Sequence, residues 1–178
     1  KKNSANLLLV QGDTTSALAA SLGAFYSKVP IGHVEAGLRT KNRYSPFPEE
    51  INRRMTSTLA TYHFSPTQLS QNNLLEEGYT EESVYITGNT VIDSLLNMSK
   101  LIDKEQKKYN NYFKKNYSIN LKLDKKFILV TGHRRESFGK GFKNICSAIS
   151  EVAHSNNGIH FIFPVHLNPN VQVPVYKI

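Results

Sequence analysis

The sequence predicts an α/β protein with two doubly wound, parallel-sheet units one after the other. Short apolar runs without alternation at residues 7–11, 31–35 and 127–131 are typical of strands covered on both faces. A polar turn and a helical pattern separate the first two runs, and the same order connects the third run to residues 159–163. Strand, helix and strand in this order form a βαβ unit, whose sheet is parallel.

The first two helices are predicted from capping residues and apolar spacing. Asp13 or Thr14 can cap a helix after the first strand, and Pro30 ends it. Its expected buried stripe consists of Leu18, Leu22, Phe25 and Tyr26. Pro48 suits the start of the second helix, whose expected buried face carries Ile51, Met55 and Leu59.

The first unit continues through two more strands, at residues 62–65 and 83–87. The helix between them is opened by Pro66 and ended by Gly78, a residue that suits the position after a helix. A long helix is then expected from Val91. We expect it to lead into a lysine-rich connector.

The net charge of +8 raises the question of nucleic-acid binding. Residues 100–126 hold nine lysines and three acidic residues, a composition that favours a solvated helix and connector. No nucleic-acid partner is therefore predicted. The six histidines are dispersed, and neither H-E-x-x-H nor paired cysteines occur, so no metal is assigned.

The sequence also bears on the compartment. It lacks a run of eighteen apolar residues, which excludes a membrane-spanning helix of the usual kind. The single cysteine, Cys146, fits a reducing compartment and is expected to be a buried, unreactive thiol. A cytoplasmic location is the simplest prediction.

Carboxylates stand at several predicted element ends in residues 12–54. In parallel sheets ligands bind beyond the carboxyl ends of the strands, where both Asp13 and Glu35 lie. Glu49 and Glu50 open the second helix, a position that the helix dipole alone also explains. With arginines such as Arg39 nearby, these carboxylates indicate proton transfer beside an anionic substrate, and Arg39 is a candidate substrate-binding residue.

The loop after residues 127–131 is the most informative part of the second unit. It is flanked by glycines and contains His133, Arg134 and Arg135. Backbone amides in such a strand-to-helix turn can hold an anion. The spacing matches neither the dinucleotide-binding nor the Walker pattern. Two interpretations remain open. One of the arginines binds a pyrophosphate, or the arginine pair forms ion pairs with acids across a cleft.

Six ordered motifs together resemble the bacterial non-hydrolysing UDP-N-acetylglucosamine 2-epimerases. They are Gly-Asp-Thr-Thr (12–15), His-Val-Glu-Ala-Gly-Leu-Arg-Thr (33–40), Pro-Glu-Glu-Ile-Asn-Arg (48–53), Thr-Gly-Asn-Thr-Val-Ile-Asp (87–93), Gly-His-Arg-Arg-Glu (132–136) and Pro-Val-His-Leu-Asn-Pro (164–169). The resemblance implies two Rossmann-like domains facing a cleft, as in B-type glycosyltransferases. The expected division is a first domain at 1–88, a bridging helix and connector at 89–126, and a second domain at 127–178.

The resemblance also implies a reaction. The family interconverts UDP-GlcNAc and UDP-ManNAc by eliminating UDP to a 2-acetamidoglucal and adding it back with C2 inverted, without a metal or redox cofactor. By matching position, Asp13, Glu35 and Glu49 are the acid/base carboxylates. His133 lies at the phosphates or the reacting centre.

The resemblance further implies the ligand contacts and the assembly. Arg134 and His166 match positions that hold a second, regulatory UDP-GlcNAc. With Arg135, the other arginine of the loop, they are the candidate substrate-binding residues of the second unit. The expected partners are thus a UDP-sugar, as substrate and as regulator, and a second copy in a homodimer. The expected role is ManNAc supply for a bacterial surface polysaccharide.

Family segments are missing on both sides of the chain, including an upstream Arg-Pro-Glu turn and a downstream Ser-Gly-Gly segment that grips the nucleotide. We therefore expect a fold incomplete at both ends and an inactive fragment. Three alternatives are a hydrolysing epimerase that releases free ManNAc, a B-type glycosyltransferase, and a UDP-sugar-binding remnant without activity.

Overall fold

The computed structural model describes residues 5–121, 126–132, 134 and 137–177. His133 and Arg135 lie outside these described residues. In chain order the regular elements are β1 (Leu8–Gln11), α1 (Thr15–Tyr26), β2 (Ile31–Val34), α2 (Glu49–Leu59), β3 (Tyr62–Ser65), α3 (Gln68–Glu76), one 3₁₀ turn (Glu81–Ser83), β4 (Val84–Ile86), α4 (Thr90–Lys104), α5 (Gln106–Tyr117), β5 (Lys126–Leu129), α6 (Lys140–Ser155), β6 (Ile159–Ile162) and α7 (Pro169–Lys177).

The strands that the structure describes form two parallel sheets, which confirms the predicted α/β class. The first has the order β1-β2-β3-β4, and β5 pairs with β6 in the second. Gln11 is in register with Val34, and Val34 with Phe64, so the loops after β1 and β2 leave the sheet at the same edge. The four strands follow chain order. The reversal of strand order that completes a doubly wound sheet is not among the described strands.

The chain divides into two compact units, Lys1–Lys100 and Leu101–Ile178. The division falls inside α4, the helix that was expected to bridge two domains. The predicted boundaries at residues 88 and 126 stay predictions. Each sheet belongs to one unit, and each unit has buried apolar residues of its own.

Within the described residues, the core consists of three small clusters of apolar side chains. The members are Val10, Ala17 and Ile31 in the first, Ala36, Leu74 and Val84 in the second, and Phe142, Cys146 and Val171 in the third. Cys146 is buried as predicted, and burial raises the pKa of its thiol. A thiol of raised pKa is a poor nucleophile, which supports the expectation of an unreactive cysteine.

The predicted buried stripe of α1 was wrong in its phase. Leu22, Phe25 and Tyr26 are exposed, and Tyr26 has 77% of its surface accessible. The inward face instead carries the small residues Ala17 and Ser21. These positions are one residue away from the predicted stripe, because α1 lies against α2 and β1 through small side chains that allow close approach. Thr14 caps the helix as predicted, accepting from the Ala17 amide at 3.1 Å.

The buried face of α2 is polar, which also differs from the prediction. Met55 is exposed and the fully or nearly buried residues are Glu50, Asn52, Arg53, Thr56 and Ser57. Buried polar side chains cost free energy unless they are paired. The buried polar side chains of α2 therefore indicate that this face of the helix belongs to a functional region.

The lysine-rich region contains a helix, as predicted. α5 carries its lysines on exposed positions, and Lys108 pairs with Glu105 at 2.6 Å. Part of the expected connector, residues 122–125, lies outside the described residues. In the part of the chain that the structure describes, no helix has the length and apolarity needed to cross a membrane.

Candidate active site

The loop from Gly12 to Thr14 connects β1 to α1 at the carboxyl edge of the first sheet. Gly12 has φ +72°, a conformation that favours glycine, and its amide donates to Val34 O at 3.0 Å. A Cβ at Gly12 would lie 3.4 Å from Glu35 Oε2. The loop carrying Asp13 and the Glu35 carboxylate are therefore neighbours, which confirms that the two strand ends bring these acids to one edge.

Among the residues that the structure describes, three side chains hold this loop. His33 Nε2 donates to Gly12 O at 2.8 Å, and Asn52 Nδ2 donates to Asp13 O at 2.9 Å. Arg53 Nη2 donates to Asp13 Oδ2 in an ion pair. The Asp13 side chain nevertheless keeps 27% of its surface accessible. Its carboxylate is thus fixed in position while remaining open to a ligand.

Glu35 follows the last residue of β2 and is half-buried. Its φ is +69°, a left-handed conformation that costs a non-glycine residue about 1 kcal/mol or more. Within the described residues, no side-chain hydrogen bond or ion pair holds the Glu35 carboxylate. A half-buried carboxylate that has no partner among the described residues is a candidate for proton exchange with a ligand.

The two glutamates that open α2 have different surroundings. Glu49 is half-buried, whereas Glu50 is fully buried. Glu50 Oε2 accepts from the Thr40 amide at 3.1 Å and lies 3.5 Å from Arg53 Nη1. Glu50 Oε1 has no hydrogen-bond partner among the described residues. Glu50 is therefore an internal counter-ion, and Glu49 is the member of the pair with access to solvent.

A pair of buried histidines lies beneath this edge. His33 and His63 are register partners on β2 and β3, and both are buried. Burial lowers the pKa of His33. Burial, with a further contribution from His33, lowers the pKa of His63 to about 4, and its ring packs on Tyr79 with centroids 4.6 Å apart. Both rings are therefore neutral at pH 7, and the neutral His33 donates through Nε2 because the Gly12 carbonyl only accepts.

This burial predicts acid sensitivity. The pKa of His63 lies below its ordinary 6.5 in the folded protein, so the unfolded chain binds more protons between pH 6.5 and 4. We expect the contribution of His63 to the free energy of unfolding to be complete above pH 6.5. This contribution should decline by about 2–3 kcal/mol toward pH 4. Urea unfolding at pH 7, 5.5 and 4 measures this decline.

The matched control compares two histidine variants. His63→Gln should reduce the decline between pH 6.5 and 4 and leave the part that the buried His33 causes, whereas His154→Gln, at an exposed site on α6, should retain the full decline. An unchanged decline in His63→Gln would show that other groups cause the acid sensitivity.

Arg39 is engaged by protein groups. Its Nε and Nη2 donate to the two carboxylate oxygens of Glu77 at 2.8 and 2.7 Å, and Nη1 donates to Leu38 O at 2.8 Å. The hydrogen bonds from Arg39 lower the pKa of Glu77. Only 3% of the Arg39 side chain is accessible. The structure thus gives Arg39 a bidentate internal partner, and substrate binding by this residue stays a prediction.

The predicted residues of the second unit follow β5 and β6. Arg134 is exposed, and its carbonyl accepts from the Ser137 amide at 3.1 Å. His166 is exposed as well, and its Nδ1 accepts from the Asn168 amide at 3.1 Å. Both residues lie beyond the carboxyl ends of strands, where ligands bind in parallel sheets. Among the described residues no group of three histidine, cysteine or acidic side chains could hold a metal ion.

Comparison with known proteins decides the family. The model of the family described as UDP-N-acetylglucosamine 2-epimerase matches residues 1–178. The chain belongs to this family. It is 53% identical over 173 residues to the UDP-N-acetylglucosamine 2-epimerase of Escherichia coli (strain K12), covering 97% of this chain and 46% of the relative. The epimerase of Campylobacter jejuni is also 53% identical, with 96% of this chain and 45% of the relative covered.

Solved epimerases share the fold. The crystal structure of UDP-GlcNAc 2-epimerase from Neisseria meningitidis, bound to UDP-GlcNAc, matches with a TM-score of 0.88 and 47% identity. That match covers 97% of this chain and 46% of the solved chain. The chain spans about half the length of the UDP-N-acetylglucosamine 2-epimerases that it matches.

Some residues of the candidate site had no role assigned from the sequence, and Glu50 had been grouped with the carboxylates for proton transfer. His33, Glu50, Asn52 and Arg53 hold the Asp13 loop or pair with one another. The available signal was Glu50 and Arg53 at i and i+3, a spacing that places opposite charges on one helix face. That spacing shows a pair but not its burial or its contact with Asp13.

Proposed function

We propose that the whole protein that carries this chain interconverts UDP-GlcNAc and UDP-ManNAc. The observation that carries the proposal is the pair of acids at neighbouring strand ends. Asp13 is held by Asn52 and Arg53, its neighbour Gly12 is held by His33, and Glu35 has no partner among the described residues. The printed names of the relatives and the UDP-GlcNAc bound to the Neisseria meningitidis enzyme support the choice of substrate.

The chemistry explains why several carboxylates are needed. C2 of the sugar has no adjacent carbonyl to acidify its proton. One carboxylate takes the C2 proton as the C1–O bond to UDP breaks, which leaves a C1=C2 double bond and free UDP. Proton delivery to the opposite face of C2 and re-addition of UDP at C1 complete the inversion. The candidates for these transfers are Asp13, Glu35 and Glu49.

The leaving UDP needs cationic stabilisation. We assign this role to the loop after β5, with Arg134 and, outside the described residues, His133 and Arg135. His166 and Arg134 are the candidates for a second, regulatory UDP-GlcNAc. Substrate binding by Arg39, a non-hydrolysing outcome, a homodimer, a cytoplasmic location and a role in surface polysaccharide synthesis remain predictions.

Isotope exchange tests the proposal. We expect the whole protein, incubated with UDP-GlcNAc in D₂O, to yield UDP-ManNAc and to place deuterium at C2 of both sugars, as followed by NMR. Release of free ManNAc with UDP would indicate the hydrolysing reaction. If neither exchange nor sugar release occurred, the epimerase proposal would be refuted. A transferase or a binding protein would then be favoured.

A further inference from the structure

Arg53 lies between two carboxylates. It is on the inward face of α2, and only 11% of its side chain is accessible. Nη2 donates to Asp13 Oδ2, and Nη1 lies 3.5 Å from Glu50 Oε2. Both terminal nitrogens of the guanidinium thus face protein carboxylates. A substrate phosphate therefore has little access to them.

Glu50 completes the chain of contacts from the inside. A fully buried carboxylate requires pairing, and Glu50 has the Thr40 amide on Oε2 and Arg53 one turn further along the helix. Buried ion pairs give weak stabilisation compared with apolar packing, so their presence is better explained by the geometry that they impose. The geometry here runs from Glu50 through Arg53 to Asp13.

Asp13 is the accessible end of this chain of contacts. Its side chain keeps 27% of its surface accessible, against 11% for Arg53 and 1% for Glu50. Asn52, next to Arg53 on the helix, fixes the same loop through Asp13 O. Two consecutive residues of α2 therefore hold the backbone and the carboxylate of Asp13.

We propose that Arg53 is a positioning residue that acts through Asp13, with Glu50 as the buried carboxylate that orients Arg53. This inference rests on the proposed epimerase function. Neither residue needs to touch the sugar nucleotide. The division of roles leaves Glu35 and Glu49, which have no such ion pair among the described residues, as the less constrained acids for proton transfer.

The test separates catalysis from binding. Deuterium exchange at C2 and the Kd for UDP-GlcNAc are measured in the whole protein for Arg53→Met, Arg53→Lys and Glu50→Gln. We expect Arg53→Met to lower exchange about 10²-fold, the scale of a misplaced catalytic group, with an unchanged Kd. Arg53→Lys keeps the charge and should lie between Arg53→Met and wild type. Added guanidinium should restore part of the exchange in Arg53→Met.

A double-mutant cycle identifies the residue through which Arg53 acts. If Arg53 works by positioning Asp13, then Arg53→Met adds little to the loss already caused by Asp13→Asn. The control is Arg54→Met, the neighbouring arginine with 51% of its side chain accessible, which should keep wild-type exchange. Circular dichroism of each variant checks folding, and Arg53→Lys serves if Arg53→Met does not fold.

Several outcomes would overturn the inference. Independent losses in Arg53→Met and Asp13→Asn would show that Arg53 does not act through Asp13. A weaker Kd with unchanged exchange would make Arg53 a substrate ligand. If wild type and Arg53→Met show the same exchange, only the positioning role is overturned. If wild type shows no exchange, the proposed epimerase function and the positioning role are both overturned.

Discussion

Glu35→Gln should lower C2 deuterium exchange with UDP-GlcNAc about 10²–10⁴-fold, the range expected when an acid/base group is removed. Glutamine has nearly the same shape and keeps the left-handed backbone at φ +69° no more strained than glutamate does. Its amide cannot take up or release a proton as a carboxyl group does, and an NH₂ donor replaces one carboxyl oxygen. The Kd for UDP-GlcNAc, measured by calorimetry on the whole protein, should therefore stay close to wild type.

The control for this prediction is Glu81→Gln, an exposed glutamate in the 3₁₀ turn before β4. It should retain wild-type exchange. Exchange that persists in Glu35→Gln would make Glu35 a structural residue of the β2 edge and leave Glu49 and Asp13 as the acids for both faces. If the protein only binds the sugar nucleotide, C2 deuterium exchange should be absent from wild type, Glu35→Gln and Glu81→Gln alike.

The sequence predicted the period of the helices better than their phase. In α1 the largest apolar residues were expected to face inward, yet Ala17, Ser21 and Ala24 at i, i+4 and i+7 do so. A stripe of small residues runs beside the apolar stripe, and propensity and spacing alone cannot choose between them. The choice depends on how closely α1 approaches α2 and β1, which is a property of the tertiary structure.

The candidate site was predictable where it depends on strand ends. Asp13 and Glu35 follow successive strands of one parallel sheet, so their proximity follows from topology. The supporting contacts were not predictable, because they join residues far apart in the chain. Asn52 and Arg53 lie 39 and 40 positions after Asp13, and only the crossing of α2 beside the β1 loop brings them to it.

The turn after β2 should be the most sensitive backbone position near Glu35. Gly37 has φ +88°, and a Cβ there would lie 2.1 Å from the Ser70 carbonyl oxygen and 3.1 Å from Leu74 Cδ1. Asn73 Nδ2 donates to Gly37 O at 2.9 Å and holds the turn against α3. Gly37→Ala should therefore lower the free energy of unfolding by about 3 kcal/mol or more, measured by urea denaturation.

Gly78→Ala provides the matched control for the steric part of this effect. Gly78 has nearly the same conformation, with φ +91°, but a Cβ there would meet no atom within 4 Å. Its substitution should cost only the left-handed strain of about 1 kcal/mol. Equal losses in the two variants would mean that the turn shifts freely away from Ser70. A larger loss of stability in Gly37→Ala would mean that contact with α3 fixes the turn. That contact would then also fix the backbone that follows Glu35.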